Sequence, residues 1–197
     1  MRCYKLTDKN YCTYGGMKWG EGVTHEIAVP DITQPLCTKY WLHAFIDPRL
    51  AVIFNPIYSN YSPPILWEAE AEGYIKYDGQ SELGCTKLTT IKKIPLPKIP
   101  LKKIVEFANW CALKVYPDEC FKYWAENWLD GNRGSVENPL TLAKGWAFWS
   151  AEKALQAAKE YEAMNDNEVK IEAAYAVQYA IYAKSIDLLS ILDKCGI

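Results

Sequence analysis

The sequence predicts an α+β protein in two parts. A small, mostly antiparallel sheet domain with one short helix covers residues 1–97, and an all-helical domain of about four helices covers residues 98–197. Three observations carry this. Apolar and acidic residues alternate between Ile65 and Glu72, which puts Ile65, Trp67, Ala69 and Ala71 on one strand face and Glu68, Glu70 and Glu72 on the other. Beyond residue 100 the apolar period becomes helical, as in Leu101, Ile104, Val105, Ala108, Cys111, Ala112 and Val115. Between them lies Pro95-Leu96-Pro97-Lys98-Ile99-Pro100, a stiff connector, because proline fixes φ and disfavours helix at the residue before it.

In the front half, Cys3–Leu6 is a strand and Gly15-Gly16 a turn. Met17–Trp19 and Val23–Ile27 form the arms of a hairpin around Gly20-Glu21-Gly22, and residues 31–35 are loop. Tyr40–Phe45 is a second strand. Asp47-Pro48 starts a helix over Arg49–Phe54, since Asp caps free N–H groups and Pro suits the first turn, and the helix stops before Asn55-Pro56. Residues 55–64 are loop, Gly73 ends the alternating strand, and Cys85–Ile94 is the last strand.

In the back half, Leu101–Tyr116 is the first helix. Pro117-Asp118 opens the second and Gly131 ends it; Asn138-Pro139 opens a third that runs to Met164; Glu168–Leu192 is the fourth, with Gly196 as its stop. Ala143, Ala147, Ala151, Ala154 and Ala158 on the third helix face Ala173, Ala176, Ala180 and Ala183 on the fourth. Such small residues suit a self-packed helical hairpin first, and a homodimer surface as the sharper alternative.

Composition narrows function. The chain has 197 residues, half of them apolar and 23% charged, so it can bury a real core. A net charge of −2 argues against a general nucleic-acid binder, which needs clustered Lys and Arg. The basic run Lys87, Lys92, Lys93, Lys98, Lys102 and Lys103 reads by default as a solvated stretch. Seven cysteines, an odd number, with no apolar leader at the start, predict free thiols in a reducing cytoplasm, and no stretch approaches the roughly 18 apolar residues of a membrane span. No metal site or cofactor is expected, given two histidines and no closely spaced Cys pair. Phosphate-loop glycine patterns are absent.

Two constellations invite chemistry. Cys37 and His43 are near in sequence, but no orienting acid accompanies them. Glu68, Glu70 and Glu72 repel one another, which could raise a pKa, although an exposed polar strand face is the simpler reading. Eight Trp and fourteen Tyr exceed what cores usually take, and Tyr40 and Trp41, adjacent on a strand, cannot both face the core. The candidate ligand-binding set is therefore Tyr4, Lys5, Trp19, His43, Phe45, Trp67, Glu68 and Glu70, with no catalytic residue assigned.

Several of these residues also carry a resemblance. Cys3-Tyr4-Lys5, then Met17-Lys18-Trp19 with Gly22, Thr24 and Glu26, then Leu36-Cys37, Leu42-His43-Ala44-Phe45, Asn55-Pro56, Glu68-Ala69-Glu70 with Gly73, and Lys87–Ile94 follow one another over about the first 95 residues. This order resembles an uncharacterised domain family of phage and prophage proteins; Trp41-Leu42 stands where the family has a small residue. The resemblance implies a phage-encoded accessory protein that antagonises host defence by binding a host protein or a nucleotide-like ligand. The strand order is also faintly similar to the ADP-ribosyltransferase core, which would place Tyr4, His43 and Glu68 near a cleft for NAD-like ligands and leaves a nucleotide-processing enzyme as the alternative.

Overall fold

A computed structural model describes residues 1–132, 139–140 and 145–197. The chain forms two compact units, Met1–Lys98 and Ile99–Ile197. The first is a five-stranded antiparallel sheet with one helix: β1 (Arg2–Thr7), β2 (Val23–Glu26), β3 (Leu42–Phe45), α1 (Pro48–Tyr58), β4 (Ile65–Asp78) and β5 (Glu82–Ile94). The second is helical: α2 (Leu101–Val115), α3 (Glu119–Leu129), α4 (Trp146–Glu162), α5 (Asp166–Ala183) and α6 (Leu188–Cys195). Among the described residues no helix is long and apolar enough to cross a membrane.

The strand order is β2-β5-β3-β1-β4, and β4 pairs with β5 as well. Four strands, β5, β3, β1 and β4, thus close a ring of pairings, with β2 added to β5. A ring of so few strands encloses little space, because barrel diameter falls with strand number. Small residues meet this limit: Cys3, Ala44, Ala69, Ala71 and Cys85 sit in the core with Leu42, Leu83, Leu88 and Trp19. The ring is weakest between β1 and β3, which share one paired position, Tyr4 opposite Phe45.

The long β4–β5 hairpin explains several departures from expectation. Gly73 does not end the strand; it forms a bulge, with a register shift between Glu72 and Ile75, and β4 runs on to Asp78. Its φ is +75°, and the Tyr74 N–H donates to Thr86 Oγ1 at 3.1 Å. Bulges with glycine in the left-handed region bend a strand without ending its pairing. The last strand correspondingly starts at Glu82, not Cys85. Met17–Trp19 does not pair with β2, whose partner is β5, with Thr24 opposite Thr89. Residues 17–19 fold back on the preceding loop instead, through Thr13 N–H to Met17 O at 2.9 Å and Trp19 N–H to Tyr11 O at 2.7 Å.

Helix α1 begins as expected, with Asp47 accepting from Arg49 N–H at 2.8 Å, but it passes through Pro56 to Tyr58. Two contacts carry the extra turn. Tyr58 stacks on Phe54 at 5.1 Å, and the Asn55 amide clamps the Tyr61 backbone by one donated and one accepted bond.

In the helical unit, Asp118 caps α3 by accepting from Phe121 N–H at 2.9 Å, and Gly131 follows the helix end with φ +82°. The described part of the third predicted helix starts at Trp146; its expected start at Asn138 and Ala143 lie outside the described residues. The fourth predicted helix is two helices. Lys184 is extended, and Asp187 caps α6 by accepting from Ser190 N–H at 3.1 Å. Ala151, Ala154, Ala158, Ala173, Ala176 and Ala180 are all buried, and Ser150 donates across the α4–α5 contact to Ala176 O at 2.8 Å. These six are taken up within the chain's own hairpin, whereas Ala147 is half-buried and Ala183 is exposed.

Gly73 gives a direct check on the hairpin. A Cβ there would lie 2.2 Å from Thr86 Oγ1, at a φ that L-residues avoid. Gly73→Ala is expected to lower the unfolding free energy by about 2 kcal/mol, read from denaturant midpoints. An unchanged midpoint would show that β4 tolerates a different bulge.

Candidate functional site

Where β1 and β3 part, a cavity of about 750 Å³ opens in the front unit. Its walls come from β1, β3 and β5, the loops before β2 and β3, and the end of α1 with the residues after it. Of the candidates named from sequence, Lys5, Trp19, His43 and Phe45 line it. The other four lie elsewhere. Trp67 is buried and donates to Thr7 Oγ1 at 3.1 Å, with Tyr11 edge-on at 5.4 Å, so it is a packing residue. Tyr4 lies opposite Glu68 on β4, with the Arg2 guanidinium 5.8 Å from its ring centre. Glu68 binds Arg2 at 3.2 Å and Lys92 at 3.5 Å, and Glu70 is exposed, with the terminal ammonium 3.9 Å away.

The acidic strand face and the basic run are two sides of one ladder. Lys92 is the cross-strand neighbour of Glu68, and Lys87 that of Glu72, with an ion pair of 2.8 Å. Lys87 holds the Glu72 carboxyl below its ordinary value, the opposite of the mutual repulsion expected from sequence. Exposed cross-strand pairs of this kind are screened by solvent and add little to stability.

The cavity itself holds five perturbed groups, Lys5, Cys37, His43, Tyr61 and Glu82. The Lys5 ammonium bridges the gap between the strands by donating to His43 O at 2.5 Å, and sits 5.3 Å from the centre of a Trp19 ring. Burial lowers its pKa to about 8, partly opposed by Cys85, Glu82 and Cys3. His43 Nε2 accepts from the Cys37 N–H at 2.9 Å, which fixes the neutral tautomer with the proton on Nδ1. Burial, then Lys5, holds its pKa down to about 4. Cys37 reaches this position with φ +66°, and burial, then Glu82 and Asp78, pushes its thiol up. An imidazole that resists protonation beside a thiol that resists ionisation is the reverse of an activated thiolate–imidazolium pair.

Another of these groups, Glu82, lies between Gly73 and Cys85, where the sequence predicts no element. It is 6% exposed, and it is the one acidic side chain among the residues lining the cavity. Among the described residues its carboxyl has no hydrogen bond and no ion pair. Burial, then Asp78, raises its pKa to about 7, against the pull of Lys5. No periodicity points to it: its cross-strand neighbours are Phe45, far upstream on β3, and Asp78, across the hairpin turn on β4.

The aromatic walls are equally built. Trp41 is buried, its indole N–H donating to Gln34 O at 3.2 Å and the Lys76 ammonium 5.8 Å from its ring, while Tyr40 is only half-buried. Trp41 lies against β5 at Gly84, where a Cβ would be 3.1 Å from its own Cβ and 2.3 Å from Leu36. This contact lets the strand begin at Leu42 rather than Tyr40. Phe45 and Tyr58 stack at 6.2 Å, and burial raises the Tyr61 hydroxyl pKa. Among the described residues no three His, Cys, Asp or Glu side chains form a metal cluster.

Glu82 and His43 titrate in opposite senses. Glu82 stays protonated in the fold to about pH 7 but ionises at 4.5 when unfolded, so its contribution is full below pH 4.5 and is lost as pH rises to 7. His43 contributes fully above pH 6.5, and its contribution is lost as pH falls to 4. Glu82→Gln removes one of the two slopes. The variant is expected to gain stability over the parent as pH rises from 4.5 to 7, by up to about 3 kcal/mol. Denaturant titrations at several pH values check this; parallel pH profiles would mean that Glu82 titrates in the fold as it does in the unfolded chain.

No family model matches the chain, and neither the curated proteins nor the solved structures include one similar to it.

Proposed function

We propose that the front unit binds a nucleotide-like small molecule in the β1–β3 cavity, without turning it over. The observation that supports this best is a buried carboxyl with no protein partner, set in an aromatic-walled cavity of about 750 Å³. That volume falls in the usual range for small-molecule sites, roughly 300–1,000 Å³, which combine apolar walls with a few placed polar groups. Trp41, Phe45 and Tyr58 offer faces and edges to a flat heterocycle. Lys5 inside and Lys39, an exposed lining residue, supply cations for its acceptors and phosphates. Action as a phage-encoded antagonist of host defence is the setting that the resemblance of the first 95 residues supports; a host protein is the other candidate partner.

A nucleotide-processing enzyme is the second reading, and Glu82 favours it, because a carboxyl with a pKa of about 7 suits general acid–base work near neutrality. In that case turnover of NAD or a cyclic nucleotide would stop in Glu82→Gln and survive in Glu68→Gln.

For the binding reading, a thermal-shift panel of mononucleotides, NAD and cyclic dinucleotides is expected to give at least one clear rise in Tm. A ligand at a hundred times its Kd adds about 2.7 kcal/mol. Lys5→Met should abolish the shift while leaving the Tm of the free protein unchanged or higher, since it removes a buried charge. A panel with no shift would transfer the reading to a protein partner.

A further inference from the structure

The way the cavity's polar groups are distributed says which heterocycle it takes. Glu82 is acceptor-only when ionised, offers two oxygens, and has no donor facing it among the described residues. An unpartnered carboxylate on a largely buried residue is costly, and a ligand that brings N–H groups to it relieves the cost. Lys5 is the complementary group. An ammonium has three donors, and one of them goes to His43 O, so it has donors left for a ligand oxygen. His43 cannot serve as the acceptor, because its Nε2 lone pair is already taken by the Cys37 N–H. The cavity therefore offers one two-oxygen acceptor and one cationic donor, each acting on the other electrostatically across it.

Resting on the nucleotide reading above, we infer that the ligand carries a guanine-type base, with Glu82 accepting from its ring N–H and exocyclic amine and Lys5 donating to its carbonyl oxygen. Guanine's pairing edge runs acceptor, donor, donor. The two adjacent donors match the two carboxylate oxygens, and the remaining acceptor matches the ammonium. Adenine offers one donor beside a ring nitrogen that accepts, which would face the carboxylate with a lone pair. Hypoxanthine keeps the ring N–H and the carbonyl but lacks the amine, so it forms half of the contact.

Titration of the full chain with GMP, IMP and AMP, followed by calorimetry at pH 8, tests this. GMP is expected to bind about tenfold tighter than IMP and about a hundredfold tighter than AMP, in line with the discrimination one bidentate base contact gives. Glu82→Gln, whose amide presents one acceptor and one donor, is expected to weaken GMP about a hundredfold and to strengthen AMP. Its circular dichroism should match the parent, because the change is isosteric. If AMP binds as tightly as GMP, or if Glu82→Gln leaves the GMP to AMP ratio unchanged, the base assignment is overturned while the nucleotide site stands. If none of the three binds and none shifts the Tm, the nucleotide reading falls and takes this inference with it.

Discussion

The single paired position between β1 and β3 governs the front unit. A ring of four strands would ordinarily close by a full ladder, yet here Tyr4 and Phe45 are the one pair, and the strands then separate. Lys5 spans the opening with its ammonium, replacing missing backbone bonds by one side-chain bond to His43 O. A charge placed there must be buried, which lowers its pKa to about 8 and makes it a poor stabiliser. The cavity, the position of His43 and the electrostatic coupling to Glu82 all follow from that gap.

Much of the fold was legible in the sequence because it is locally encoded. The alternation in Ile65–Glu72, the Asp47-Pro48 and Asp118 caps and the Gly196 stop are short-range signals, and each marks a real element boundary or strand face. The misreadings arose where tertiary contacts overrode those signals. Pro56 sits inside α1 because Asn55 and the Phe54–Tyr58 stack sustain the turn around it. Gly73 continues a strand because Thr86 fills the place its side chain would take. Lys184 and Asp187 break a helix whose apolar period runs on through the break.

The site was half legible. Lys5, Trp19, His43 and Phe45 were found through aromatic and ionisable residues on strand candidates. Glu68 and Glu70 were drawn in by a conspicuous pattern, but a regular acidic row is what a solvated strand face with lysine neighbours produces. Glu82 carries no pattern at all. A single acid becomes distinctive only when the fold buries it, and burial here depends on strands whose partners lie about forty residues upstream and on a hairpin turn beside it.

The strand pairings also bear on how the chain acquires its structure. β1 pairs with β4 some sixty residues later, and β3, apart from the Tyr4–Phe45 position, pairs with β5, as β2 does. As the polypeptide leaves the ribosome, β1 therefore waits for most of its partner positions until β4 has emerged, and β2 and β3 until β5 has, with apolar faces and unpaired edges on display. The β4–β5 hairpin, local in sequence, is the template on which they later assemble. Among the helices beyond residue 100, α4 and α5 pack as neighbours in sequence, while α2 also finds its main partners downstream in α4 and α5. The front unit is thus a slow and aggregation-exposed step of biogenesis, and a part of the molecule where a chaperone has much to hold.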